Sequence, residues 1–118
     1  MSKWGLRSLV LATGMAGLGL PVIAQEGWTP ALGEEIRSAL EGRSLIYDRG
    51  AWQDFNASGR TLYNAGRDSW GYWAVRDDRY CSMWPPSDIW ACYKVEVTST
   101  AVRFVDPGGE ITTGTYRD

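Results

Sequence analysis

From Leu45 onward, apolar and polar residues alternate in short β-prone runs, interrupted by turn residues roughly every eight to twelve positions. A period of two marks strands with one buried face. The predicted strands are Ser44–Asp48, Trp52–Asn56, Arg60–Asn64, Trp70–Val75, Arg79–Trp84, Ile89–Val97, Ala101–Val105 and Glu110–Tyr116. Between them lie residues suited to turns: Ala57-Ser58-Gly59, Ala65 to Asp68, Asp77-Asp78, Pro85 to Asp88 and Asp106-Pro107-Gly108-Gly109. Ahead of the strands the period changes. Leu32, Ile36, Ala39 and Leu40 recur at helical spacing. Thr29 is placed to cap this helix, Pro30 to occupy its first position, and Glu34 and Glu35 to meet the positive end of its dipole, with Gly42 as the stop. The expected fold is mainly β: one N-terminal helix, then a small antiparallel sheet or barrel of about seven to eight short strands.

Cys81 and Cys92 test that register, being the only cysteines of the chain. A four-residue loop at Pro85 to Asp88 pairs Trp84 with Ile89, Met83 with Trp90 and Ser82 with Ala91, which sets Cys81 opposite Cys92. Directly opposed strand residues have Cβ atoms close enough for a cross-strand disulfide. A two-residue turn at Asp77-Asp78 extends the count, pairing Val75 with Tyr80, Trp73 with Ser82 and Gly71 with Trp84. One face then holds Gly71, Trp73, Val75, Tyr80, Ser82, Trp84, Ile89, Ala91, Tyr93, Val95 and Val97, and reads as core, with Gly71 making room for Trp84. The opposite face holds Trp70, Tyr72, Ala74, Cys81, Met83, Trp90 and Cys92 before turning polar at Lys94 and Glu96. Contiguous exposed apolar surface marks partner or ligand sites, so Trp70, Tyr72, Met83 and Trp90 form the candidate binding patch. The competing reading lays the helix over this face and buries Leu32, Ile36 and Leu40 against its tryptophans.

The N-terminus changes the setting. Lys3 and Arg7 precede an uncharged stretch from Ser8 to Leu20, then Pro21 and a small residue at Ala24. This is the layout of a cleavable secretory signal over residues 1–24, too short for a bilayer span, with Gln25 as the mature terminus and 25–118 as a single β-rich domain. The expected location is periplasmic or secreted, without stable membrane insertion after cleavage, and there the cysteines are expected to pair. A domain this small has a marginal core that benefits from the cross-link.

Composition removes several chemistries. Twelve basic against fourteen acidic residues, two of the basic ones in the leader, argue against nucleic acid as a partner. The chain has no histidine, which removes the usual general base, the histidine-activated nucleophiles and most zinc or copper sites. No cofactor or metal is expected. Carboxylates remain, but Asp48, Asp54, Asp68, Asp77, Asp78 and Asp106 all fall at predicted turns or strand ends, where aspartate serves turn geometry.

Several segments carry a resemblance: Leu32-Gly33-Glu34-Glu35-Ile36, Gly59-Arg60-Thr61-Leu62-Tyr63, Trp70-Gly71-Tyr72-Trp73, Tyr80-Cys81-Ser82-Met83-Trp84-Pro85-Pro86 and Ala91-Cys92-Tyr93. Together they resemble a family of small exported bacterial proteins that supplies no assigned site. Some similar short proteins carry the label dihydrodipicolinate reductase, and this chain lacks the glycine-rich strand-to-helix loop and the length such an enzyme needs. A weaker similarity is to periplasmic lysozyme inhibitors; on that resemblance Ser58-Gly59 and Tyr63 correspond to inhibitory positions. Three functions are thereby expected, in order. The first is a non-enzymatic binding domain meeting a protein, a glycan or a small apolar ligand through aromatic side chains. The second is an inhibitor of a cell-wall lytic enzyme. The third is a hydrolase working with two carboxylates, and a structural role in the envelope stands beside it as a further alternative.

Overall fold

Every run expected to be a strand is one in the computed structural model, which describes residues 27–117. In chain order the elements are β1 (Thr29–Ala31), α1 (Gly33–Leu40), β2 (Arg43–Ile46), β3 (Trp52–Phe55), β4 (Arg60–Asn64), β5 (Asp68–Arg76), β6 (Arg79–Met83), β7 (Ala91–Val97), β8 (Ala101–Val105) and β9 (Ile111–Tyr116). The segment read as a leader, residues 1–24, and Gln25 lie outside the described residues.

Strands β2 to β9 form an antiparallel meander in which each pairs with the next, and β9 returns to β2 through Leu45 opposite Tyr116 and Ile46 opposite Thr115. The sheet is therefore a closed eight-stranded barrel. Closure removes the free edges that would otherwise offer unpaired backbone groups to another chain. The ninth strand, β1, pairs with β7 at Val95 to Val97, beyond the residues of β7 that pair with β6.

The expected register holds from the Asp77-Asp78 turn to Ser82 opposite Ala91, while the expected pairs Met83 with Trp90 and Trp84 with Ile89 do not form. Asp77 and Asp78 both take left-handed φ, 50° and 58°. That is the conformation a two-residue turn needs to match the twist of its strands. Val75 faces Tyr80, Trp73 faces Ser82, and the disulfide joins Cys81 to Cys92 directly across the ladder. The ladder stops sooner than expected. Strand β6 ends at Met83, β7 begins at Ala91, and Ile89 is 75% exposed instead of entering the core. Here the loop bonds to itself: Ser87 N–H donates to the Trp84 carbonyl, and Ile89 N–H donates to the Ser87 hydroxyl.

The N-terminal expectation needs two corrections. Thr29 and Pro30 do not start the helix; they belong to β1, where pairing with β7 outweighs their capping preference. The helix begins at Gly33, and the Glu35 carboxylate reaches back to accept the Leu32 N–H at 2.9 Å. Leu32 is consequently outside the apolar stripe and 53% exposed. The second correction concerns the face that α1 covers. Ile36 and Leu40 are fully buried in one cluster with Phe55, Trp73, Tyr80 and Phe104, all on the inner face of the barrel. Thus α1 stoppers one end of the barrel and leaves the outer aromatic face uncovered. Arg37 lies 5.8 Å from the Trp73 ring centre, and the Tyr116 hydroxyl donates to the Ala39 carbonyl at 2.7 Å. In the middle of the barrel Phe55 meets Trp73 and Tyr80 edge-on at 5.8 Å, the arrangement favoured by aromatic quadrupoles.

Candidate functional site

In a meander, successive loops alternate between the two ends. The segments before β2, at 56–59, at 77–78 and at 98–100 share the helix end. Those at 47–51, 65–67, 84–90 and 106–110 surround the other. That second end carries only a single 3-10 turn at Asp48–Gly50 and no α-helix among the described residues, and a cavity of about 1110 Å³ opens there. Barrels of eight strands have room for one small ligand, and ligand sites commonly span a few hundred to a thousand Å³.

The wall is made by inward-facing residues of neighbouring strands. Tyr47 follows β2, Gln53 comes from β3, Tyr63 from β4, Tyr80 and Ser82 from β6 with Trp84 just beyond it, Tyr93 from β7 and Thr112 from β9. At the floor the polar groups satisfy one another. The Tyr47 hydroxyl donates to Gln53 Oε1 at 2.7 Å, and Gln53 Nε2 donates to Thr61 Oγ1 at 2.8 Å and to the Tyr80 hydroxyl at 3.2 Å. The Thr61 hydroxyl donates to the Asp54 backbone carbonyl at 2.7 Å. Ser82 accepts the Trp84 indole N–H at 3.3 Å. Burial raises the pKa of the Tyr80 phenol to about 12, and burial likewise pushes that of Tyr47 well above the usual phenol range. The floor therefore favours uncharged groups.

Above it the rings form a row. Tyr63 lies 6.2 Å from Tyr47 on one side and 6.2 Å, at 70°, from Trp84 on the other. Gly71 explains how Trp84 fits. A Cβ at position 71 would stand 2.5 Å from Trp84 Cε3 and 2.9 Å from Cδ2, so the indole lies across bare backbone. Carboxylate and guanidinium groups enter only at the mouth, as Asp48, Arg67 and Asp68.

Of the expected patch, Tyr72, Met83 and Trp90 lie on the outer wall, whereas Trp70 also reaches the rim of the cavity. Tyr72 pairs with Met83, and Trp70 and Tyr72 are 45% and 41% exposed. Neither ring is bare, because the Arg60 guanidinium sits 4.6 Å from Trp70 and 5.5 Å from Tyr72. Trp90 is half-buried and carries Arg76 at 4.1 Å. Trp28 and Trp52 carry Arg103 and Arg117 in the same way, at 4.4 Å and 4.5 Å. Among the described tryptophans, Trp84 is the one whose ring no arginine covers.

Other expected residues are dispersed. Ser58 and Gly59 lie at the helix end while Tyr63 lines the cavity at the opposite end, so one surface does not hold all three. Asp54 accepts the Ser44 hydroxyl, and Asp106 bonds the Gly108 and Glu110 amides of its own turn. Asp77 and Asp78 are at the helix end. Among the described residues no three side chains of histidine, cysteine, aspartate or glutamate gather as a metal site. The cavity itself was missed from sequence: Tyr80, Ser82, Trp84 and Tyr93 read as core, although Gln53, Thr61 and Ser82 on the inward face are a polar signal unusual for a filled barrel. No protein-family model, curated protein or solved structure matches the chain.

Proposed function

We propose that this protein is a non-enzymatic binding domain that holds one small molecule in the open end of its barrel. One observation carries the reading: a closed barrel stoppered by α1 at one end keeps an aromatic-walled cavity of about 1110 Å³ at the other. Its deep polar groups are bonded to each other, so they shape the site without offering a nucleophile or a general base. The disulfide, and the absence among the described residues of a helix long and apolar enough to cross a membrane, are compatible with a protein outside the cytoplasm. The leader pattern supports export to the periplasm or beyond.

The exposure of Trp70 and Tyr72 favours a second reading, in which a protein or glycan docks on the outer wall. One experiment separates the two. The protein is purified from periplasm and examined by native mass spectrometry for a retained small molecule, alongside Thr112→Trp and Tyr72→Ala. Thr112 pairs with Phe104 and lines the cavity, so the larger side chain narrows the cup. Loss of the bound mass in Thr112→Trp alone supports the cup. Tyr72 is exposed on the outer wall, so loss in Tyr72→Ala alone transfers the site there.

A further inference from the structure

The cup also narrows the chemistry of its occupant. Resting on the reading of the cup as the binding site, we propose that the bound molecule presents an uncharged planar aromatic ring, which lies on the cavity side of Trp84. One side of the indole lies against the backbone of Gly71, and the residue lines the cavity, so a ring entering the cavity meets its other side. The remaining described tryptophans already have a guanidinium over their rings. Tyr63 stands edge-on to Trp84 at 6.2 Å and would meet the rim of a ring stacked there.

Charge and hydrogen-bond inventory decide against other classes. A cation or an anion in the depth would be desolvated with no counter-charge beside it, since Asp48, Asp68 and Arg67 stay at the mouth. A sugar would find no free amide in the depth, because Gln53 spends its oxygen on Tyr47 and its nitrogen on Thr61 and Tyr80, so the sugar hydroxyls would be met only by the wall hydroxyls and the charged groups of the mouth.

Equilibrium dialysis of the oxidised protein with quinoline, N-methylquinolinium and chitotriose tests the ring class. Quinoline is expected to bind, with the other two at least tenfold weaker. Trp84→Leu should weaken quinoline about tenfold and Trp84→Phe only a few-fold, because phenylalanine keeps a ring face. Thr112→Trp should abolish binding. Tighter binding of N-methylquinolinium or chitotriose, lost in Thr112→Trp, overturns the ring class and leaves the cup in place. Quinoline binding that survives Thr112→Trp puts the site elsewhere and overturns both readings. Failure of quinoline to bind, or equal binding by Trp84→Leu and the unaltered protein, likewise overturns the ring class.

Discussion

Gly71 and Trp84 are in such close register that a single added carbon at position 71 would overlap the indole, at 2.5 Å from Cε3, and crowd the Met83 carbonyl at 2.7 Å. The glycine is there for the tryptophan. Gly71→Ala must push Trp84 off the wall or bend β5, and overpacking of this kind costs about 1 to 3 kcal/mol. Urea denaturation of the variant should show that loss, together with altered tryptophan emission in the folded state.

The outer and inner tryptophans should respond differently to truncation. Trp73 is 4% exposed inside the aromatic cluster, and Trp73→Ala should cost about 3 to 5 kcal/mol. Trp90 rests half-buried on the outer wall under Arg76, where a cation–π contact contributes roughly 0.5 to 1 kcal/mol. Trp90→Ala should therefore fall well short of the Trp73 variant in the same denaturation series. Equal losses would mean that the outer face is packed as tightly as the core.

Joining Cys81 to Cys92 closes a short loop, with a sequence separation of 11, and removes chain entropy from the unfolded state. The chain-entropy model puts this at about 3 kcal/mol. Replacing both cysteines by alanine should lower Tm by more than about ten degrees for a domain of this size. Differential scanning calorimetry of the oxidised, reduced and double-alanine proteins would check it.

Alkaline pH should unfold the protein through its buried phenols. The Tyr80 value is raised by burial from 10.0 to about 12, so the folded state holds its proton after the unfolded state has released it. That contribution is complete below about pH 10 and is lost as pH rises through about 12. Tyr47, raised in the same direction, adds to the loss. Stability measured at steps from pH 8 upward should fall across this window, and less steeply in Tyr80→Phe. An unchanged slope in that variant would assign the alkaline transition to other groups.

Local geometry was legible from the residues alone. Asp77-Asp78, the Pro85 loop and the two cysteines all imply one hairpin register, because side-chain alternation and turn chemistry act over a few residues. Gly71 and Trp84 were paired by the same count, and the structure places them in contact. Ile89 marks the limit of this reasoning, since alternation continues on paper after the ladder has ended.

Tertiary structure decided what no short window contains. Pairing of Leu45 with Tyr116 closes the barrel between residues far apart in the chain, and it turns one sheet face into an interior with two ends. Only then does α1 have a choice, and its apolar stripe goes where closure leaves the largest dry surface, onto Phe55 and Trp73. Capture of Thr29 and Pro30 by β7 has the same origin: a long-range edge offered backbone partners that a local capping preference could not outweigh. The sequence by itself determined the strands, their turns and which side chains look inward. Whether the inward side is filled or hollow depends on how many strands share it, and that was decided by closure of the barrel.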